Sequence, residues 1–125
     1  MSRYSYIALG AADVIEKAAA RIERDGFHQG GYYPGWDPDR PLLMGLVGEH
    51  IRTESAPCCT VGAIHAEAQT FKAADDTSEI LAERLGFRGV LELLDWNDDE
   101  RDGEEVVSEL RRVATEIREA ATSNA

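Results

Sequence analysis

Apolar residues recur at helical spacing near both ends of the chain, and each stretch predicts an amphipathic helix. The first helix is predicted over residues 5–25, and its inward face consists of Ala8, Ala12, Ile15, Ala19 and Ile22. Arg21 falls largely off that face. Gly26 should end the helix, because glycine tolerates the left-handed backbone that follows many helices. The last helix is predicted over residues 103–121, and its inward face consists of Val106, Leu110, Val113 and Ile117, extended by Ala120 or Ala121.

A third helix is predicted over residues 57–73, because Pro57 suits the first turn of a helix. Its core stripe would consist of Val61, Ile64, Ala68 and Phe71. Cys58 and His65 would then lie along one edge of the same helix. At a rise of about 1.5 Å per residue they would be roughly 10 Å apart and would not touch.

Two segments have the spacing of a capping box, in which a side chain at the helix start and a glutamate satisfy free amides reciprocally. Residues 76–79 (DTSE) predict a short helix that Gly86 closes, and residues 90–94 favour one or two further turns. Asp102 is expected to cap the last helix, with Glu105 reaching back to the cap amide.

Residues 27–41 (FHQGGYYPGWDPDRP) are rich in glycine, proline and aromatic residues. They favour either an ordered loop anchored by aromatic side chains or the first arm of a hairpin. Gly45 and Gly48 weaken a helix in the apolar stretch that follows, so the sequence allows a short β-hairpin over residues 31–47. The chain is therefore predicted to be mainly α, with four or five helices in one domain over residues 1–125 and a frayed tail at 122–125.

The charge of the chain is strongly negative and unevenly placed. Among the 125 residues, 24 acidic side chains oppose 13 basic ones, which gives a net charge of -11. Residues 54–125 carry a net charge of -10, from 17 acids and 7 bases. This half would repel nucleic acid. It could attract a basic protein partner, and the alternative is an acidic surface that is only solvated. No apolar run approaches membrane-spanning length and the first residues lack a signal-peptide pattern, so a cytoplasmic protein that binds no membrane is expected.

Three pieces of sequence together resemble a known family. They are a first helix that runs into DGFHQGGY, the segment CTVGAIHAEA, and Trp96-Asn97-Asp98 before a final helix with EEVV and LRRVA. They are similar to a family of small proteins of unknown function from actinobacteria and their phages, whose members usually have tryptophan in place of Phe27. The likeness covers most of the chain except residues 32–56. It implies a mainly helical fold and an intracellular setting, and it assigns no catalytic or binding residue.

The cysteine and histidine residues define one candidate chemistry. Cys58 or Cys59 could act as a nucleophile only with a base from another element, such as His28 or His50. A zinc site would draw on the same residues and His65, but none has the close paired spacing typical of zinc ligands. The acidic run at residues 95–105 comes close to the register of a calcium loop, but Glu100 stands where the loop needs a shorter side chain and the run overlaps the start of the last helix, so helix capping is favoured. We therefore expect no metal and no cofactor.

Aromatic and acidic residues define the other candidate chemistry, which is protein binding. Its candidate residues are Tyr32, Tyr33 and Trp36 in the loop, Trp96, and the acidic residues Asp98, Asp99 and Glu100. A structural role is the alternative for Trp96-Asn97-Asp98, with Trp96 filling one end of the core and Asn97 or Asp98 bonding nearby backbone. The sequence favours a non-enzymatic protein-binding or regulatory accessory protein, and a small cysteine-dependent enzyme is the alternative. The oligomeric state stays open.

Overall fold

The computed structural model describes residues 2–40, 44–99 and 101–123. Within these ranges the helices are α1 (Arg3–Asp25), α2 (Met44–Glu54), α3 (Thr60–Glu67), α4 (Phe71–Arg84), α5 (Val90–Asp98) and α6 (Gly103–Ser123). The mainly α prediction is confirmed, and the helices number six in the described residues rather than four or five. None of these six helices is both long enough and apolar enough to cross a bilayer.

Helices α1 and α6 pack against each other in antiparallel orientation. Their predicted inward faces are both buried, and Ala121 extends the α6 face as expected. Arg118 pairs with Asp13 at 2.7 Å and Arg111 pairs with Glu23 at 2.9 Å. The end of α6 therefore lies beside the start of α1, and the two helices run in opposite directions. These exposed pairs contribute little stability compared with the apolar contact. The described part of α6 reaches Ser123, and residues 124–125 lie outside the described ranges, so the frayed tail at residues 122–125 stays a prediction.

Arg21 is an exception to the polar face predicted for α1. Its side chain is buried and bonds Glu67 at 2.8 Å and Asp25 at 3.3 Å. The prediction that it lies off the inward face is therefore wrong. A buried guanidinium is tolerated here because two carboxylates compensate for its lost hydration.

The helix predicted over residues 57–73 is wrong at both ends. Cys59 is the N-cap of α3, and Thr70 caps a separate helix, α4, by accepting the N–H of Ala73. Cys58 precedes α3 in extended backbone, where its N–H donates to the Gly26 carbonyl and its carbonyl accepts the N–H of His28. The shared edge predicted for Cys58 and His65 therefore does not exist.

Helix α3 lies at the centre of the fold. Six of its eight residues are buried, including Ala63 and Ala66 on the side opposite the predicted stripe. Phe71, which the sequence placed in the core, is 60% exposed because it begins the next helix. A helix covered on every side has no polar face, so its sequence carries no clear helical period.

The two predicted capping boxes have different outcomes. Residues 76–79 lie inside α4, where the Ser78 hydroxyl donates to the Ala74 carbonyl, so that prediction is wrong. Gly86 follows α4 with a φ of 86°, as expected for a closing glycine. Asp102 caps α6 as predicted, since its Oδ1 accepts the N–H of Glu105 at 2.8 Å. The Glu105 carboxylate lies 3.7 Å from Arg101 rather than on the cap amide.

The predicted hairpin over residues 31–47 is wrong, because Met44–Glu54 is helical and residues 41–43 lie outside the described ranges. Gly48 explains the error. A Cβ at this position would collide with the carbonyl oxygen of His65 in α3. The glycine therefore permits close contact between α2 and α3, rather than weakening a helix. Gly62 serves the same contact from α3, since its Cβ would lie 2.9 Å from Ile51 Cδ1.

Candidate functional site

The aromatic loop, residues 27–40, is fixed to the C-terminal end of α5. The Gln29 amide donates to the carbonyls of Asn97 at 3.0 Å, Asp99 at 2.6 Å and Arg101 at 3.2 Å. The N–H of Gly30 donates to Asp98 Oδ1 at 3.0 Å. These bonds bring together the two segments that the sequence singled out separately for binding.

Asn97 joins this junction to the centre of the fold. Its side chain is 1% exposed, and its Oδ1 accepts both the N–H of Thr60 at 2.8 Å and the Thr60 hydroxyl at 2.7 Å. Its Nδ2 donates to the His28 carbonyl at 3.3 Å. The predicted structural role of Asn97 is confirmed, because one amide connects α3, α5 and the aromatic loop.

The three candidate aromatic residues of the loop lie in two different environments. Tyr33 is buried and stacks on the His50 ring with centroids 4.0 Å apart, so it anchors the loop to α2. Tyr32 and Trp36 are half-buried and meet edge to face at 4.7 Å. Gly31 has a φ of 150°, and a Cβ there would lie 3.1 Å from Trp36 Cε3. The indole therefore packs directly against the backbone of Gly31.

Tyr32 and Trp36 form a wall of a cleft of about 340 Å³, here called the aromatic cleft. Its lining consists of Gly30, Gly31, Tyr32, Trp36, Pro38, Cys59, Leu94 and Asp98. Asp98 is the charged side chain of this lining, and its Oδ1 is already used by Gly30 and Asn97. Of the hydrogen bonds among the described residues, none uses Asp98 Oδ2, so this oxygen and the aromatic faces are open to the cleft.

A second cleft of about 610 Å³, here called the acidic cleft, shares Asp98 with the first. Its lining consists of Phe87, Glu92, Asp95, Trp96, Asp98, Asp99 and Arg101. Trp96 is 9% exposed and forms an aromatic floor with Phe87, whose ring centroid is 6.3 Å away. The guanidinium carbon of Arg101 lies 5.1 Å from the Trp96 ring centroid. Cations at this distance from an indole are attracted by the ring quadrupole.

The remaining candidates differ in how much of their side chains they offer to a partner. Asp98 and Asp99 are exposed beside the acidic cleft, whereas Glu100 lies outside the described residues. Trp96 is buried, so it contributes the floor of the acidic cleft and does not protrude as an exposed hot spot would. Sequence reasoning missed Gln29, because an isolated glutamine in a glycine-rich loop carries no recognisable signal.

The two cysteines are buried and free. Cys58 is fully buried, and Cys59 Sγ accepts the N–H of Gly62 at 3.2 Å, which caps α3. Burial raises the pKa of both thiols to about 12. Of the hydrogen bonds among described residues, none joins a histidine ring to either thiol. His50 stacks on Tyr33, and His65 lies 5.7 Å from the Phe71 ring with its pKa lowered by burial.

We expect the native protein to react very slowly with iodoacetamide at pH 7.5. A thiol whose pKa is about 12 is ionised to only about three parts in 10⁵ at this pH, and the thiolate is the reactive form. Raising the pH toward 10 should speed the reaction, since the thiolate fraction grows tenfold per pH unit. Mass spectrometry of native and urea-unfolded protein measures both rates. Fast labelling of Cys58 or Cys59 in the native state would contradict the assignment and revive a cysteine-dependent mechanism.

The fold and these clefts define a small, mainly helical, acidic protein with an aromatic and acidic surface at the end of α5. The chain belongs to a family of unknown function, DUF6197, which it matches over residues 8–116. The matched range includes every residue of both clefts, and the assignment agrees with the uncharacterised family indicated by the sequence resemblance. Comparisons with curated proteins and with solved structures give no match.

Proposed function

We propose that this protein is a non-enzymatic accessory that binds a basic segment of another protein through the acidic cleft and the neighbouring aromatic cleft. The observation that carries the proposal is the convergence of carboxylates on an aromatic floor. The carboxylates belong to Glu92, Asp95, Asp98 and Asp99. Carboxylates attract cationic side chains, and aromatic faces bind both the cation and its apolar stem.

The rigidity of the surface supports a binding role. The bonds from Gln29 and Gly30 to the end of α5 fix the loop, and the buried Asn97 fixes α5 to α3. Binding to a preformed surface costs less conformational entropy than binding that must first order a loop of this protein. The backbone around both clefts is therefore held in place before a partner binds.

The charge of the chain supports the choice of a basic partner. Residues 54–125 carry a net charge of -10, and α5 lies within this half. A field of this sign raises the rate at which cationic partners meet the surface, and salt weakens it. The same field opposes nucleic acid, so a protein in the cytoplasm is the partner that we propose.

Neutralising two carboxylates of the acidic cleft should weaken binding of an octa-arginine peptide about tenfold at low salt, because exposed charge pairs each contribute up to about 1 kcal/mol. The variant is Asp95→Asn with Asp99→Asn, which spares Asp98 because it holds Gly30. Stopped-flow association and titration calorimetry at two salt concentrations measure the effect. Most of the loss should appear as slower association.

A matched control separates local recognition from overall charge. Asp75 and Glu79 lie exposed on α4 in another acidic cluster. Asp75→Asn with Glu79→Gln removes the same charge and should change the affinity less than about twofold. Equal losses in the two variants would contradict a site at α5. If the affinity did not change with salt concentration, the binding contact would instead be assigned to the apolar walls at Tyr32 and Trp36.

A further inference from the structure

We infer that the Trp96 face of the acidic cleft is a guanidinium site, which Arg101 covers in the free protein and which an arginine side chain of the partner takes over. The inference rests on the proposed function and adds two things to it. It names the side chain that the cleft recognises, and it makes Arg101 an internal competitor of the partner.

The position of Arg101 shows which chemistry the cleft accommodates. Its guanidinium carbon lies 5.1 Å from the centroid of Trp96, and both residues line the cleft. A guanidinium is planar and weakly hydrated, so it stacks on an indole better than the ammonium of lysine does. The contact with Trp96 is an argument separate from the carboxylates around the cleft. The carboxylates would attract any cation, whereas the indole face favours arginine over lysine.

Arg101 is held less tightly than Arg112 and Arg118 of α6. Its Nη1 lies 3.7 Å from Glu105 Oε2, whereas Arg112 and Arg118 approach carboxylates at 2.6 Å and 2.7 Å. Its Nε is buried and has no hydrogen-bond partner within the described part of the chain. The Arg101 guanidinium therefore lies against Trp96 with a buried N–H that has no acceptor among the described residues. A partner guanidinium with better hydrogen bonding can replace it there.

The backbone at Arg101 can stay in place when the side chain leaves. Its carbonyl accepts a bond from the Gln29 amide at 3.2 Å, which ties this point of the chain to the aromatic loop. Its side chain is 35% exposed and so already reaches solvent at the cleft mouth. Rotation about side-chain bonds then suffices to uncover the Trp96 face, and Asp95 and Asp99 line the same cleft for the incoming cation.

Removing the internal competitor should strengthen octa-arginine binding about tenfold, since a Trp96 face that is covered most of the time binds its ligand correspondingly less well. The variants are Arg101→Ala and Arg101→Gln, the second keeping part of the polar stem. Arg88→Ala is the control, because Arg88 pairs with Glu92 at the edge of the same cleft and is almost fully exposed. It removes the same charge without uncovering Trp96, and should strengthen binding about twofold or less.

The comparison with lysine completes the test. Wild-type protein should prefer octa-arginine to octa-lysine, and removal of Arg101 should widen the preference. If Arg101 and Arg88 variants gain equally, or lysine binds as well as arginine, the inference is overturned while the proposed function stands. If Asp95→Asn with Asp99→Asn loses no more affinity than its α4 control, the proposed function fails by its own experiment. If no variant binds octa-arginine, both are overturned.

Discussion

Gly48→Ala should destabilise the protein by about 3 kcal/mol, although the same change stabilises most helices. An added Cβ would collide with the His65 carbonyl oxygen and lie 2.8 Å from its carbonyl carbon. Backbone atoms of a buried helix cannot move aside as the end of a flexible side chain can. Helices α2 and α3 would have to separate and give up packing around Val47 and Ile51, both fully buried.

Gly45→Ala is the matched control, because Gly45 lies exposed in the same helix with no atom within 4 Å of the added Cβ. It should stabilise the protein by about 0.5–1 kcal/mol through its better helix propensity. Urea unfolding of both variants gives the two free energies of unfolding. Changes of the same sign would contradict the close contact between α2 and α3.

The faces of α1 and α6 could be predicted from sequence because each helix packs one side against the core and leaves the other in water. Residues such as Ile15 and Leu110 then recur with the helical period. The period fails for α3, whose surface is buried nearly all round. Its limits are set by Cys59 and by Thr70, which caps α4. The extended backbone at Cys58, just before α3, depends on pairing with Phe27, which lies 31 residues earlier.

The error at α2 has a similar origin. In sequence, Gly48 counts against a helix, since glycine has low helix propensity. In the structure its lack of a side chain is required by the His65 carbonyl, 17 residues later. A local pattern does not contain that distant requirement. Helix formation in α2 is therefore decided by tertiary packing rather than by propensity.

The candidate site was predictable in its parts and not in their arrangement. Aromatic and acidic composition indicated the loop and the end of α5 separately. Their junction depends on the Gln29 amide, whose three acceptors lie 68 to 72 residues further along the chain. The role of Asn97 in bonding nearby backbone could be predicted, whereas its partner Thr60 could not.

Asn97→Ala should destabilise the protein by about 3–4 kcal/mol and lower the melting temperature by roughly 10–15 °C. It leaves two donors of Thr60, the N–H and the hydroxyl, without their acceptor in a site closed to solvent. A buried donor without an acceptor costs about 1–3 kcal/mol. Asp99→Ala is the control, because its exposed side chain should contribute less than about 0.5 kcal/mol. Calorimetric melting measures both.

A second substitution identifies the bond responsible. Thr60→Val removes the hydroxyl, so in the Asn97→Ala background it eliminates one of the two stranded donors and leaves only the N–H. The double variant should therefore be more stable than the sum of the single effects predicts, by about 1–2 kcal/mol. Effects that add within about 0.3 kcal/mol would mean that the hydroxyl does not bond Asn97. Because this amide also holds α5, which lines both clefts, to α3, Asn97→Ala should weaken octa-arginine binding even under conditions where the variant is fully folded.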